Sequence, residues 1–221
     1  MIYRLSHKLL AAILFSSSTL AAQVQVSKEP RHKNALENKY LRLLDVNISP
    51  GDTTLFHIHS TPSVFLHFTN TMAGTQIKGQ EWKKGQNIAG SASYRSFLND
   101  TLVHRVSNCD TGAFHVTDIE LLSPYTPARK LQPLPFILLF ENEKVIAYRL
   151  TTEVSNKQII KNRGPMIAEL VTGSDVILRN KKGKEISSLK AGKYVYIKPG
   201  NAFYFSATGN AAINMVLFEI K

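Results

Sequence analysis

The chain has 221 residues, enough for one large β domain or two small ones, and its 27 Lys and Arg against 16 Asp and Glu give a formal charge of +11. Its single cysteine, Cys109, excludes an internal disulfide framework, so the core alone must hold the fold together. The basic excess suits anionic surfaces or anionic small molecules. With no aromatic interleaving and no nucleic-acid motif beside it, nucleic acid is not the expected partner.

Residues 1–22 read as a leader. Arg4 and Lys8 precede the short apolar run Leu9–Phe15, and Thr19-Leu20-Ala21-Ala22 supplies small residues suited to cleavage. The apolar run is too short to span a bilayer, so a soluble exported protein, periplasmic or secreted, is expected, with no transmembrane segment after cleavage. Loss of Arg4 and Lys8 leaves the mature chain at +9. The segments that follow are short, β-branched and aromatic, with turn signals at short intervals, which is the pattern of an all-β sandwich or barrel.

After the turn at Pro50-Gly51-Asp52, the stretch from Thr53 to His59 reads as a strand. Alternation puts His57 and His59 on one face, offering two imidazoles to a divalent metal. His104, 45 residues beyond His59, can supply a third. His67 shares strand parity with Ser63 and reads as a core or rim histidine. His32 sits in a charged segment without evident partners, and His115 is assigned no role. Residues 76–90 are polar and lysine-rich, a long hairpin or loop. Cys109 reads as a plain turn residue.

Pro124, Pro127, Pro133 and Pro135 fall within 12 residues and mark a linker over 123–136. The segments on either side repeat. Glu37-Asn38-Lys39-Tyr40 is echoed by Glu141-Asn142-Glu143-Lys144, and Asp118-Ile119-Glu120-Leu121 by Leu217-Phe218-Glu219-Ile220. The division is therefore a first barrel over 23–122 and a second over 137–221. The basic run at 179–184 reads as a solvated hairpin tip. In the second half Ile160-Lys161-Asn162-Arg163 stands opposite the His57–His59 pair, and Phe203 or Tyr204 opposite His104, so that half has no ligand set. Tyr194, Tyr196, Phe203 and Phe205 either fill its interior or line a metal-free pocket, with filling preferred.

A glycine, five residues, then His-x-His is met by Gly51, His57 and His59, and His-x-x-x-Asn by His104 and Asn108. At these residues the chain resembles the cupin superfamily. The resemblance implies two jelly-roll barrels in tandem and a site for a divalent transition metal (Fe, Mn, Zn, Ni or Cu) held by His57, His59 and His104. It departs from the family pattern at the glutamate ligand, where Ser63 or Val64 stands, and at the proline and glycine before the second-motif histidine, which are Asn99 and Thr101. Three neutral imidazoles carry no charge to offset a dication, although three-histidine sets do serve as catalytic ligands. Dioxygenase or isomerase chemistry on a small molecule is the implied activity. The competing expectation is a non-enzymatic cupin that binds a small ligand or has a structural task. The sequence contains no Gly-x-Ser-x-Gly elbow, phosphate-cradling loop, dinucleotide fingerprint, Cys-x-x-Cys or His-Glu-x-x-His.

Overall fold

A computed structural model describes residues 23–128, 130–151 and 158–221. The leader, residues 1–22, lies outside them. The first half contributes ten strands: β1 (Val24–Gln25), β2 (His32–Glu37), β3 (Leu41–Ile48), β4 (His57–His59), β5 (Ser63–His67), β6 (Thr71–Ile77), β7 (Lys83–Asn87), β8 (Ala92–Arg95), β9 (Leu102–Asn108) and β10 (Phe114–Leu121). The second half contributes β11 (Ile137–Glu141), β12 (Val145–Leu150), β13 (Met166–Thr172), β14 (Val176–Asn180), β15 (Glu185–Leu189), β16 (Lys193–Ile197), β17 (Phe203–Ala207) and β18 (Asn214–Ile220). One 3-10 turn, Val26–Lys28, is the only helical element among the described residues. None of their helices is long and apolar enough to cross a membrane.

Four sheets form, two from each half. Their orders are β1-β4-β9-β6-β7, β2-β3-β10-β5-β8, β11-β12-β18-β13-β16 and β15-β14-β17. The second and third have matching orders: an opening hairpin, then the last strand of the half, then the next two strands of that sheet. The repeat read from the sequence is thus a repeat of topology. It extends to the position of the histidines, because the isolated bridge between Ile160 and Phe203 occupies the place of the His57–His104 pair.

The second and third sheets pack against each other, which explains why their central strands are largely apolar on both faces rather than alternating. Leu41, Leu43, Val64, Leu66, Ile119 and Leu121 of the first half meet Val145, Ala147, Ile167, Val216, Phe218 and Ile220 of the second in one buried cluster. The opposite faces of the same strands turn inward. In the second half sixteen buried apolar side chains, Met166, Leu178, Phe203 and Leu217 among them, fill the interior. The corresponding cluster in the first half has only seven, Leu44, Val46 and Ile48 among them. The first half is consequently less filled, and a cavity opens in it.

The four aromatics of the second half do not share one pocket, because they stand on two different surfaces. Phe203 and Phe205 belong to the filled interior, whereas Tyr194 and Tyr196 pack into the cluster between the halves. Residues 76–90 supply the turn and second strand of a hairpin, β6 to β7, whose first strand begins at Thr71. Cys109 is exposed, and its amide bonds to the Met72 carbonyl.

Candidate metal centre

Only His57–His59 of the expected 53–59 strand joins a ladder. Gly51 turns the chain at φ 73°, and Thr53 makes a single bridge to Ser107. Beyond it, the Leu55 amide donates to the buried Glu29 carboxylate (3.1 Å) rather than to a neighbouring strand. Strand β4 then pairs antiparallel with β9, placing His57 directly opposite His104 and His59 opposite Leu102. Cross-strand neighbours on one face lie within side-chain reach. The candidate ligand nitrogens of His57, His59 and His104 accordingly fall within 4.8 Å of one another. Strand alternation and the β4–β9 register bring these three together.

The hydrogen bonds fix which nitrogens are available. A carbonyl can only accept, so the 2.9 Å contact from His57 Nδ1 to the Leu55 oxygen is a donation from Nδ1–H. His57 Nε2 therefore carries the lone pair, and it is buried without a partner among the described residues. His59 Nε2 lies 3.0 Å from His104 Nε2, one donating and the other accepting. Burial, reinforced by neighbouring histidines, pushes His57 down to about 4, His59 to about 2 and His104 to about 3. All three rings are neutral near pH 7, as metal ligation requires. An orphaned, buried lone pair beside two more convergent imidazoles fits a divalent cation.

The rings line a cavity of about 220 Å³ between the two sheets of the first half, walled by Val46, Ile48, Phe65, Val106, Phe114 and Val116. Thr54, Thr75, Asn87 and His67 add neutral polar groups, and among the described residues no Lys or Arg lines it. His67 thus faces the cavity, edge-on to Phe114, rather than joining the triad. Asn108 lies outside the cavity wall. Its buried amide donates to the Ile48 and Gly112 carbonyls and pins the end of β9, a structural role. Ser63 is fully buried, its hydroxyl 3.1 Å from the Thr61 carbonyl oxygen, and does not line the cavity.

Four residues of the site escape sequence reasoning. His32 has a partner after all: its Nδ1 donates to Glu29 (2.7 Å), and its ring lies 4.7 Å from that of His57. Burial raises the Glu29 carboxyl, but hydrogen bonds from His32 and from the Leu55 and Arg31 amides outweigh it and hold the group ionised, below its usual range. Phe97 stacks on His59 at 5.0 Å and is buried, with φ at 56°, a conformation rare for a bulky residue. Asp118 reaches the site from the opposite sheet, its Oδ2 3.4 Å from His59 Nδ1. Burial and the charge of Glu120 raise Asp118 to about 8, and the nearby Ser63 hydroxyl offsets this only in part. The sequence did contain one signal for Asp118, its parity with Phe114 and Val116 on a strand that closes the repeat.

Comparison with solved structures settles the fold. A cupin 2 conserved barrel domain protein from Leptotrichia buccalis superposes with a TM-score of 0.54 over 90% of this chain and 100% of its own, at 12% identity. The chain has the cupin superfamily fold. AerE from Microcystis aeruginosa matches with a TM-score of 0.55 at 11% identity, covering 87% of this chain and 98% of its own. Oxalate decarboxylase from Bacillus subtilis, whose structure is described for its Mn(II) centres, matches with a TM-score of 0.50 at 11% identity over 82% of this chain and 69% of that one. No family model matches the sequence, and no curated protein does. At these identities the likeness is one of fold, and the chemistry must be argued from the cavity itself.

Proposed function

We propose that this cupin is an exported protein of two tandem barrels, 23–122 and 137–221, whose first barrel binds a divalent transition metal (Fe, Mn, Zn, Ni or Cu) through His57, His59 and His104 for dioxygenase- or isomerase-like chemistry on a small molecule. The observation that carries the metal reading is the buried, partnerless Nε2 of His57, aimed at the other two imidazoles. A bound metal would act as a Lewis acid and orient a bound oxygen atom of the small molecule. The chain's own residues would do the rest. Leu55 fixes the His57 tautomer, Phe97 covers the His59 ring, and the apolar wall keeps bulk water from the cavity. Because no Lys or Arg among the described residues lines the cavity, the ion itself would supply the positive charge that an anionic ligand meets. Export rests on Arg4, Lys8 and the apolar run 9–15 of the leader. X-ray absorption on the metal-loaded protein tests the ligand set. It should show three nitrogen neighbours at about 2.0–2.3 Å, and a shell of oxygens alone would reject it.

A second reading is supported by the filled second half and by Ser63, buried where a glutamate ligand would stand: a ligand-binding cupin without catalysis. It shares the cavity and differs in lacking turnover.

A further inference from the structure

Asp118 stands across the cavity from the histidines, on β10 of the facing sheet, in register with Leu44 of β3 and Phe65 of β5. Its side chain is 2% exposed, and neither carboxylate oxygen has a hydrogen-bond partner among the described residues. A buried carboxyl group without partners is costly, and in a folded protein it calls for an explanation. The nearest polar atom that could serve it is His59 Nδ1, 3.4 Å away, which is itself buried and unpartnered. The adjacent inward-facing acid, Glu120, is already satisfied by Arg42 at 2.8 Å. Ser63, one strand away on β5, turns its hydroxyl toward Thr61.

From this geometry, and resting on the metal reading above, we propose that Asp118 is the positioning carboxylate of the centre: it accepts a hydrogen bond from His59 Nδ1–H, directs His59 Nε2 at the metal, and supplies the negative charge that the three imidazoles lack. The negative group is thus carried by β10 rather than by the Ser63 position of β5. In the metal-free protein the Nε2 atoms of His59 and His104 share a proton between them. A cation on His59 Nε2 leaves the ring's one proton on Nδ1, the atom that faces Asp118. Both orphaned groups are then satisfied together. Carboxylate-to-histidine contacts of this kind orient metal-bound imidazoles, and their removal typically costs 10–100-fold in metal affinity.

The test uses full-length protein stripped with a chelator and titrated with Zn(II) and with Co(II) by calorimetry. Asp118→Asn and Asp118→Ala should bind about 10–100-fold more weakly than wild type, while Ser63→Ala binds normally. Metal-free Asp118→Asn, which preserves shape, should melt close to wild type, since one buried, unpaired polar group replaces another. In nitrogen-15 spectra of the zinc-loaded protein, His59 should carry its proton on Nδ1, strongly deshielded in wild type and shifted upfield in Asp118→Ala. Unchanged affinity in both Asp118 variants would overturn this proposal and leave the metal reading standing. An equal loss in Ser63→Ala would assign the effect to packing and also overturn it. A wild-type protein that takes up neither ion would overturn both readings.

Discussion

Glu169 offers a sharp test of how the two halves are joined. It projects from β13 into the cluster between the sheets, fully buried, with Oε2 accepting from Thr117 Oγ1 of β10 at 3.1 Å and Oε1 without a partner. Burial, helped by the negative charge of Asp45, raises its carboxyl from 4.5 to about 8. The unfolded chain therefore loses this proton near pH 4.5 while the folded protein keeps it to about pH 8. Within that window the native state binds more protons, so stability falls as pH rises. A displacement of that size corresponds to at most roughly 5 kcal/mol between the two pH limits. Glu169→Gln cannot titrate, and its amide oxygen can still accept from Thr117. Its unsatisfied amide hydrogens add a penalty that does not vary with pH. Urea denaturation at pH 5 and at pH 8.5 should show the variant gaining several kcal/mol on wild type across that interval, equivalent to roughly 10 °C in melting temperature at this chain length. Asp118 titrates in the same direction in both proteins, so the difference between them isolates Glu169. Parallel stability curves from pH 5 to pH 8.5 would refute the reasoning.

Arg163 is buried in the second half, where its guanidinium donates to Glu219 and to the Gln132 carbonyl of the proline-rich segment. Arg163→Met should destabilise the protein by about 3–5 kcal/mol in urea, because buried Glu219 loses its cationic partner; adding Glu219→Leu should recover much of that loss. Intact-mass analysis of protein from its native host should find the N-terminus at Ala22 or Gln23, and retention of Met1 on a cytosolic species would reject export.

The features legible in the sequence are those set by local periodicity. Two-residue alternation is enough to place His57 beside His59, and the turn at Gly51 is enough to start their segment. The echo of Glu37–Tyr40 in Glu141–Lys144 likewise marks the turn of the opening hairpin that two of the sheets share. What escaped depends on contacts between distant strands. His32 gains its role only because the 3-10 turn folds Glu29 beneath it and the segment before β4 brings Leu55 to the same carboxylate. Asp118 faces His59 only once the two sheets of the first half close over the cavity. Phe97 adopts a backbone conformation that its residue type disfavours, so no propensity could announce it. Tyr194 and Tyr196 were ambiguous for another reason. A strand buried on both faces carries no alternation to say which aromatic faces inward, and the neighbouring half decides.

The central claim is that the first half holds a metal. The most direct measurement is elemental analysis of protein purified without chelator or affinity-tag nickel, together with the same analysis of His57→Ala. We predict about one divalent transition-metal ion per wild-type chain, removable by chelation, and none in the variant, whose fold should be intact because the His57 ring contributes to the cavity rather than to the apolar core. A correctly folded wild-type protein that stays metal-free after incubation with iron, manganese, zinc and copper would contradict the account.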